Sequence, residues 1–559
     1  MLQSRGMRSY RTAPVQQGSS ELSRRRAAQS RPPKSARSAP ICCSLNVVVI
    51  GGGWAGFGAA KHLTEQGLNV TLLDAQPNPG GLSTGFRTKG GKAVEAGMKG
   101  FWYTYANIFR LLEELQLPEW PLTDFTTSGF WSPRGLVTEA PVFSKLPRLP
   151  TLLGQFVHTA PLHWSLSLAD RLTMLPFLAA FMDFNSSEEV YKKYDAISAY
   201  ELFRLAGVSR AAYQEFLRPT LLVGLFAPPE DISAAAMLET LYFYALAHQN
   251  DFDVCWCKGS IAELIFTPLV RRIEAQGGQV LGNRLVTGLV SGGGGGTGGL
   301  QEVTAVEAVD RSTGAVTVYP ADAVVFAVGV NAMQRLVSSS SLLAQQEDFR
   351  AIMNLRSLDV IATRLFFDRI VPTRFPANVL SGFEPAAGCT YFNLNSLQDE
   401  YRDAAGTVIT SDFYNASALL PLSDEAIVER VHQHLITCEP AFREAKVLDS
   451  VVLRYPKAVT HFSPGCYTYR PQQATSLPNV FMAGDWVKGL NHGANGLSQE
   501  RAYVTGLTAA NLVISRLGQG QPAHILNVEP DEPHVAAAKE VVKQLRGLPS
   551  ALGLSSPLL

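Results

Sequence analysis

No sign of charge predominates in this sequence. Its 48 Lys and Arg balance 48 Asp and Glu, so no whole-chain pull toward nucleic acid exists and such partners are not expected. No window holds the ~18 consecutive apolar residues of a membrane-spanning helix. The nearest run, 172–182, has eleven residues and contains Pro176. It reads as a buried helix ahead of an interfacial segment. Cysteine is sparse, seven in 559 residues. Cys255 and Cys257 are one residue apart and no second pair completes a zinc spacing, so no metal is expected. Also lacking are an HExxH sequence, a nucleophile triad and a paired-carboxylate motif, so neither metal-assisted nor covalent hydrolysis finds support.

What is present is a long, apolar chain, 46% hydrophobic and 17% charged. That length exceeds one ordinary core and predicts two intertwined domains. Residues 1–44 differ from the rest, with eight Arg and one Lys against the single acid Glu21. Such a segment buries no core and reads as an organellar transit peptide, with an untargeted disordered tail as the alternative.

After it, 45–50 is a short β-branched run of the kind found in buried parallel strands. A Gly-rich turn follows, then a helix with Gly56, Ala59, Ala60 and Leu63 on one face, then a second strand at 70–73. Ile108, Leu111, Leu112 and Leu115 have amphipathic helical spacing, with Glu113 and Glu114 on the wet side. From 130 to about 253 the pattern is mostly helical and rich in Leu, Pro and aromatics. Ser260-Ile261-Ala262-Glu263 reads as a capping box opening a helix. Strands are expected at 279–290, 303–309, 322–328 and 479–483, with a helix over about 498–517. The glycine run 292–299 reads as a hairpin connection and not a phosphate loop, because no helix start follows it.

Two constellations carry chemistry. The first is Gly51-x-Gly53-x-x-Gly56, with Trp54 and Ala55 between its glycines, and Asp74 at the end of the second strand. The glycines permit a tight turn, close approach of a pyrophosphate and close helix packing, while the helix N-terminus offers N–H donors. Asp74 stands where an acid accepts hydrogen bonds from adenosine-ribose hydroxyls. A turn with the strand before it, the helix after it and the acid at this distance predicts a dinucleotide, and NAD fits it as well as FAD. The second is the strand ending in Gly484-Asp485, followed by Gln499-Glu500-Arg501-Ala502 and Thr505-Gly506. A carboxylate at this turn can accept a hydroxyl hydrogen bond, and a helix N-terminus beyond it stabilises negative charge. An aspartate capping its own turn is the plainer reading.

Between them lies Pro79-Gly80-Gly81-Leu82-Ser83, which resembles the glycine doublet of the flavin amine oxidase and carotenoid desaturase superfamily. Order and spacing along most of the chain after Ser44 are similar to phytoene and ζ-carotene desaturases, prolycopene isomerase and flavin amine oxidases. Glu95-Ala-Gly-Met-Lys-Gly-Phe-Trp-Tyr-Thr-Tyr-Ala-Asn107 looks like the plant desaturases' Glu-Thr-Gly-x-His-x-Phe-Phe-Gly-x-Tyr-Pro-Asn. The resemblance implies FAD, with Gly80, Gly81 and Leu82 at its diphosphate and Gly97 and Met98 near the ring. Val286, in Asn283-Arg-Leu-Val286, would meet the adenine; Gly484, Asp485 and Gln499 would border the flavin. Lys258-Gly259-Ser260 resembles the family's entry to the preceding helix. The chain departs from the pattern at Lys99 (His in the desaturases), Leu82 (Lys or Arg in many relatives) and Gln499 (Met), which suggests a side branch.

The implied fold is α/β, a Rossmann-like, glutathione-reductase-like FAD domain with an inserted α+β substrate domain. The flavin domain would comprise 45–125, 256–330 and 475–520. The substrate domain would comprise 126–255 and 331–474, with 521–559 as an extension. The implied function is an FAD-dependent oxidoreductase that desaturates or isomerises a hydrophobic, isoprenoid or carotenoid-like substrate, with quinone or oxygen as electron acceptor. Chloroplast is the expected location and mitochondrion the alternative. The apolar stretch 130–250 fits a tunnel with a membrane-facing mouth, hence peripheral membrane association, and fits simple core helices equally. Two further readings stay open. One is an amine oxidase using oxygen, with Phe392, Tyr414 and Tyr467 as an aromatic cage. The other is a non-catalytic flavoprotein that binds lipid or partners at a plastid membrane. No catalytic residue is assigned; His492, between the Gly-Asp turn and the last helix, is the histidine of interest.

Overall fold

A computed structural model describes residues 45–151, 153–159, 166–185, 187–292, 301–490, 492 and 497–545. The arginine-rich segment, and with it the transit-peptide expectation, lies outside them; so does most of the glycine run. Residues 44–559 form one unit.

Five parallel strands lie in the order Val480–Met482, Ala323–Phe326, Asn46–Ile50, Asn69–Leu73, Gln279–Leu281. Their continuous apolar runs follow from burial on both faces. Val47 and Val49 share a core with the helices Trp54–Glu65 and Gln499–Leu517, whereas Val48 and Ile50 pack with Val330 and Met333 on the other side. The two helices come from opposite ends of the chain and cross at glycines. A Cβ on Gly506 would stand 2.0 Å from the Ala55 carbonyl oxygen, and one on Gly58 would stand 2.7 Å from that of Tyr503. Backbone-to-backbone packing at this crossing fixes the last helix beside the first turn.

A seven-stranded sheet runs Val447–His461, Arg356–Phe367, Val408–Tyr414, Gly388–Asn393, Ala377–Leu380, Ser128–Ser132, Gly135–Ala140. All its pairings are antiparallel except that of Ala377–Leu380 with Ser128–Ser132. Ile361, Leu365 and Phe413 on one face pack with Ile427, Val431 and Leu435 of the helix Asp424–Cys438. Strand alternation sends Arg364, Thr410, Asp412 and Thr390 to the opposite face, and all four are buried. A smaller antiparallel sheet joins Arg284–Ser291, Val303–Asp310 and Val316–Pro320.

Four local expectations need correction. The strand expected over 279–290 breaks at Gly282 and Asn283 into members of two different sheets. Asn283 takes φ 55, and a Cβ on Gly282 would stand 2.2 Å from the Pro77 carbonyl oxygen. Ser260 opens a helix without a capping box. Its hydroxyl donates to Glu95 Oε1 (3.3 Å), which also accepts from Ile261 N (2.7 Å), while Glu263 pairs with Arg87. The stretch from 130 begins as the hairpin of Ser128–Ser132 and Gly135–Ala140, turned at Gly135 with φ 117. In the run 172–182, Phe177, Ala180 and Phe181 are buried but Leu172 is exposed. Elsewhere, Glu114 accepts ion pairs from Lys61 and Arg110 and is not simply solvated. Among the described residues no helix is long and apolar enough to cross a membrane.

Candidate flavin site

The first turn is shaped by atoms that a larger residue would displace. Gly51 takes φ 104, and a Cβ on it would meet the Ala327 carbonyl oxygen at 2.5 Å. A Cβ on Gly56 would meet the Gly51 carbonyl oxygen at 1.8 Å, so the helix Trp54–Glu65 can approach the strand only with glycine there. No side chain caps this helix, which leaves its first-turn N–H groups and positive dipole end for an anionic ligand. Gly81, at φ 56, lies against Gly53, its Cβ position 3.0 Å from Gly53 Cα. The two glycine motifs thus meet backbone to backbone, a cradle with the shape a pyrophosphate needs. The Trp54 side chain is buried against Phe101 and Phe266, and its Nε1 donates to Ser83 Oγ (3.2 Å). Gly80 lies against Thr84, and Leu82 is exposed.

Asp74 Oδ2 accepts from Gly52 N at 2.6 Å and Oδ1 from Gln76 N at 2.7 Å. Burial raises its pKa, opposed by these two backbone donors. The Asp74 carbonyl accepts from Arg284 N (2.7 Å), which seats the strand carrying Val286 next to the acid. Val286 is buried opposite Ala308, immediately before a bulge.

At the far end of the chain, Gly484 (φ 136) donates its N–H to Thr505 Oγ1 at 2.9 Å, tying the turn to the last helix. Two buried guanidiniums hold the segment 485–490. Arg501 donates to the carbonyls of Asp485 (2.9 Å), Val487 (2.7 Å) and Leu490, and Arg470 to those of Trp486 (2.7 Å) and Val487 (3.0 Å). Burial lowers the Arg501 pKa to about 10. The Asp485 carboxyl is pushed up to about 6 by burial, against the pull of Arg501 and Arg470. Ser498 caps the helix, its Oγ accepting from Arg501 N. Glu500 turns away and caps another helix, Ala106–Glu114. It accepts from Asn107 N (2.9 Å), Asn107 Nδ2 (2.7 Å) and Ile108 N (2.9 Å), and burial raises its pKa to about 7.

The third wall is the segment 93–101. Gly97, at φ 78, lies so close to Asp412 that a Cβ would stand 2.6 Å from its carboxylate. Met98 N donates to Asp412 Oδ2 at 3.2 Å, and Gln499 Nε2 donates to the Gly100 carbonyl at 2.9 Å. Gly100 and Phe101 thus touch the starts of the Gln499 and Trp54 helices, while Gly97 and Met98 meet Asp412. The structure brings Gly51, Gly53, Gly56, Asp74, Gly80 and Gly81 together in one region. It sets Gly97 and Met98 against Asp412, bonds Gln499 to Gly100 of the same segment, and ties the Gly484-Asp485 turn to the Gln499 helix.

Other expected members do not converge. Phe392 contacts Trp256, Tyr414 stacks on Phe226 and Tyr467 stacks on Tyr191; among the described residues no ring contact joins the three into a cage. The His492 ring Nε2 pairs with the Leu526 carbonyl at 2.7 Å and serves to tie down the C-terminal extension. Cys255 and Cys257 are buried free thiols. Asp412 and Arg470 belong to no motif and gave no sequence signal. Glu500 and Arg501 stood in a motif, but their structural partners are far away in sequence.

An α/β fold with a glycine cradle, a buried acid at the end of the second strand and a second, remote Gly-Asp turn defines the class. The family model of flavin containing amine oxidoreductases matches residues 54–514, and the chain belongs to that family. It is a flavin-dependent oxidoreductase. A probable zeta-carotene desaturase of Synechococcus elongatus is 25% identical over 460 residues, covering 79% of this chain and 94% of that protein. A carotenoid phi-ring synthase of Streptomyces griseus is 28% identical, covering 84% and 88%. Among solved structures, cyclohexylamine oxidase from Brevibacterium oxydans is similar with a TM-score of 0.61 at 13% identity, covering 85% of this chain and all of that one; this likeness concerns the fold. When bound, the flavin supplies a two-electron acceptor.

Proposed function

We propose that the cofactor is FAD and that the enzyme oxidises or isomerises carbon–carbon bonds of a hydrophobic, carotenoid-like substrate. The observation that carries this reading is similarity to carotenoid enzymes over nearly their whole length, 94% of one and 88% of another. The diphosphate would lie on Gly53 and Gly81, the adenosine ribose on Asp74, the adenine on the Val286 main chain, and the ring between Gly97-Met98 and Gly484-Asp485 with Gln499. The scattering of Phe392, Tyr414 and Tyr467 weighs against the amine-oxidase cage. Quinone or oxygen would reoxidise the flavin. The relatives named chloroplastic in maize and tomato and the basic segment 1–44 support a plastid location. Leu168, Leu172 and Leu175, exposed at 65%, 47% and 49%, would give the helical region a membrane-facing mouth.

Anaerobic addition of apolar polyenes and of amines to the holoenzyme, one class at a time, separates the readings. Bleaching of the flavin spectrum by a polyene, or conversion of a polyene isomer without bleaching, supports the proposal. Bleaching by amines alone favours amine oxidation, and no response to either class favours a non-catalytic flavoprotein.

A further inference from the structure

Between the flavin-facing segment 93–99 and the large sheet lies a buried ionic cluster separate from the glycine cradle and the Gly-Asp turn. Glu95, Lys99, Arg364 and Asp412 lie within electrostatic reach of one another there, two groups of each sign. We propose that Lys99 is a charge-setting residue at the flavin ring, held by the Ala96 and Gly97 carbonyls, with the Asp412 carboxylate at the same Gly97–Met98 turn. The inference rests on the flavin reading above.

The geometry is specific. The Lys99 ammonium donates to the carbonyls of Ala96 and Gly97 (3.4 Å to the latter). It is thereby folded back over the turn that also receives Asp412. Two donors are used in this way and a third remains. Lys99 lies deep in the molecule yet retains accessible surface, as does Asp485, which is how a side chain behaves when it lines an internal space. On the opposite side of the turn, Asp412 Oδ2 accepts from Met98 N while Oδ1 has no hydrogen-bond partner. Gln499 Oε1, across Gly100, is also buried without one.

Lys99 is the foremost charge acting on Asp412, with Arg364 of the neighbouring strand behind it. Glu95, Tyr414, Tyr455 and Cys389 are the other titratable groups within electrostatic reach. Burial pushes the Asp412 carboxyl up to about 6, so it changes charge near neutral pH. A flavin ring gains negative charge on reduction, and a fixed cation beside it raises its electron affinity. Burial lowers the Lys99 pKa, and the Asp412 and Glu95 carboxylates oppose that fall. Lys99 would supply that cation with their support, and Asp412 would act as a neighbouring carboxylate whose own charge moderates it.

The test is the midpoint potential of the bound flavin in the FAD-loaded full chain, measured spectroelectrochemically across about pH 5 to 8. Lys99→Met is expected to lower the potential and Lys99→Arg to restore most of the loss. The wild-type curve is expected to rise more steeply below about 6, and Asp412→Asn to remove that inflection. Coinciding potentials for wild type and Lys99→Met, both carrying FAD, overturn the proposal while leaving the flavin reading intact. If Lys99→Met takes up no FAD, the wild-type and Asp412→Asn curves decide, and superposition overturns it. A wild-type chain that binds no FAD overturns both.

Discussion

Single residues set the tightest tolerances at the turns. Gly97 takes a left-handed φ of 78 and has a carboxylate where a Cβ would go. Gly97→Ala must therefore displace either the segment or Asp412, at a cost of about 1–3 kcal/mol. A lower thermal midpoint together with reduced flavin content is the expected result, and an unchanged melt would refute the contact. In the proposed site Asp74 accepts from the ribose, and hydrogen bonds to charged groups contribute about 1.5–3 kcal/mol. Asp74→Ala should therefore weaken FAD binding about 10- to 150-fold, read from flavin fluorescence during reconstitution. Equal affinity in the variant would remove Asp74 from the site.

At the scale of elements, the crossing of Trp54–Glu65 with Gln499–Leu517 joins the two halves of the site. Gly506→Ala places a methyl 2.0 Å from the Ala55 carbonyl oxygen, so the helices must separate along their contact. Because that shift moves the Gln499 helix start away from the glycine cradle, we expect loss of flavin retention as well as about 3 kcal/mol of stability. Denaturant unfolding and flavin content measure the two effects. A variant that unfolds earlier but retains flavin would show that the crossing supports the fold alone. These elements were largely legible in sequence: the β-branched run, Gly51-x-Gly53-x-x-Gly56 and the strand before Gly484 each declare strand, turn and helix locally. The 279–290 strand misled because apolar residues continue on both sides of Gly282 and Asn283, so the local pattern does not show the chain passing there from one sheet to another. The Ser260 box misled because its cap is Glu95, a residue 165 positions away, which no local pattern reveals.

Across the whole molecule, the α/β class and the flavin oxidoreductase reading came from the order of motifs, since glycine positions and strand ends are local requirements. The ionic cluster under Gly97 and the carbonyl clamps of Arg470 and Arg501 were not legible, because tertiary packing alone brings those partners together. The same packing gives the molecule a pH response. Asp412 and Asp485 are raised from 3.8 to about 6, and Glu500 from 4.5 to about 7. Each therefore binds its proton more tightly when folded, so the stability it contributes is full below its unfolded pKa and is lost as pH rises through its folded value. Thermal midpoints should fall between about pH 4 and pH 7 on this account. Glu500→Gln should flatten part of that fall, and an identical slope in the variant would exclude Glu500 as a contributor.

The central claim is that both ends of the chain close around one FAD. The most direct measurement is the identity and amount of flavin released when the purified or reconstituted full chain is denatured, by absorbance and mass spectrometry. The account predicts FAD, close to one per chain. Release of FMN, or a chain that neither carries nor takes up flavin, would contradict it.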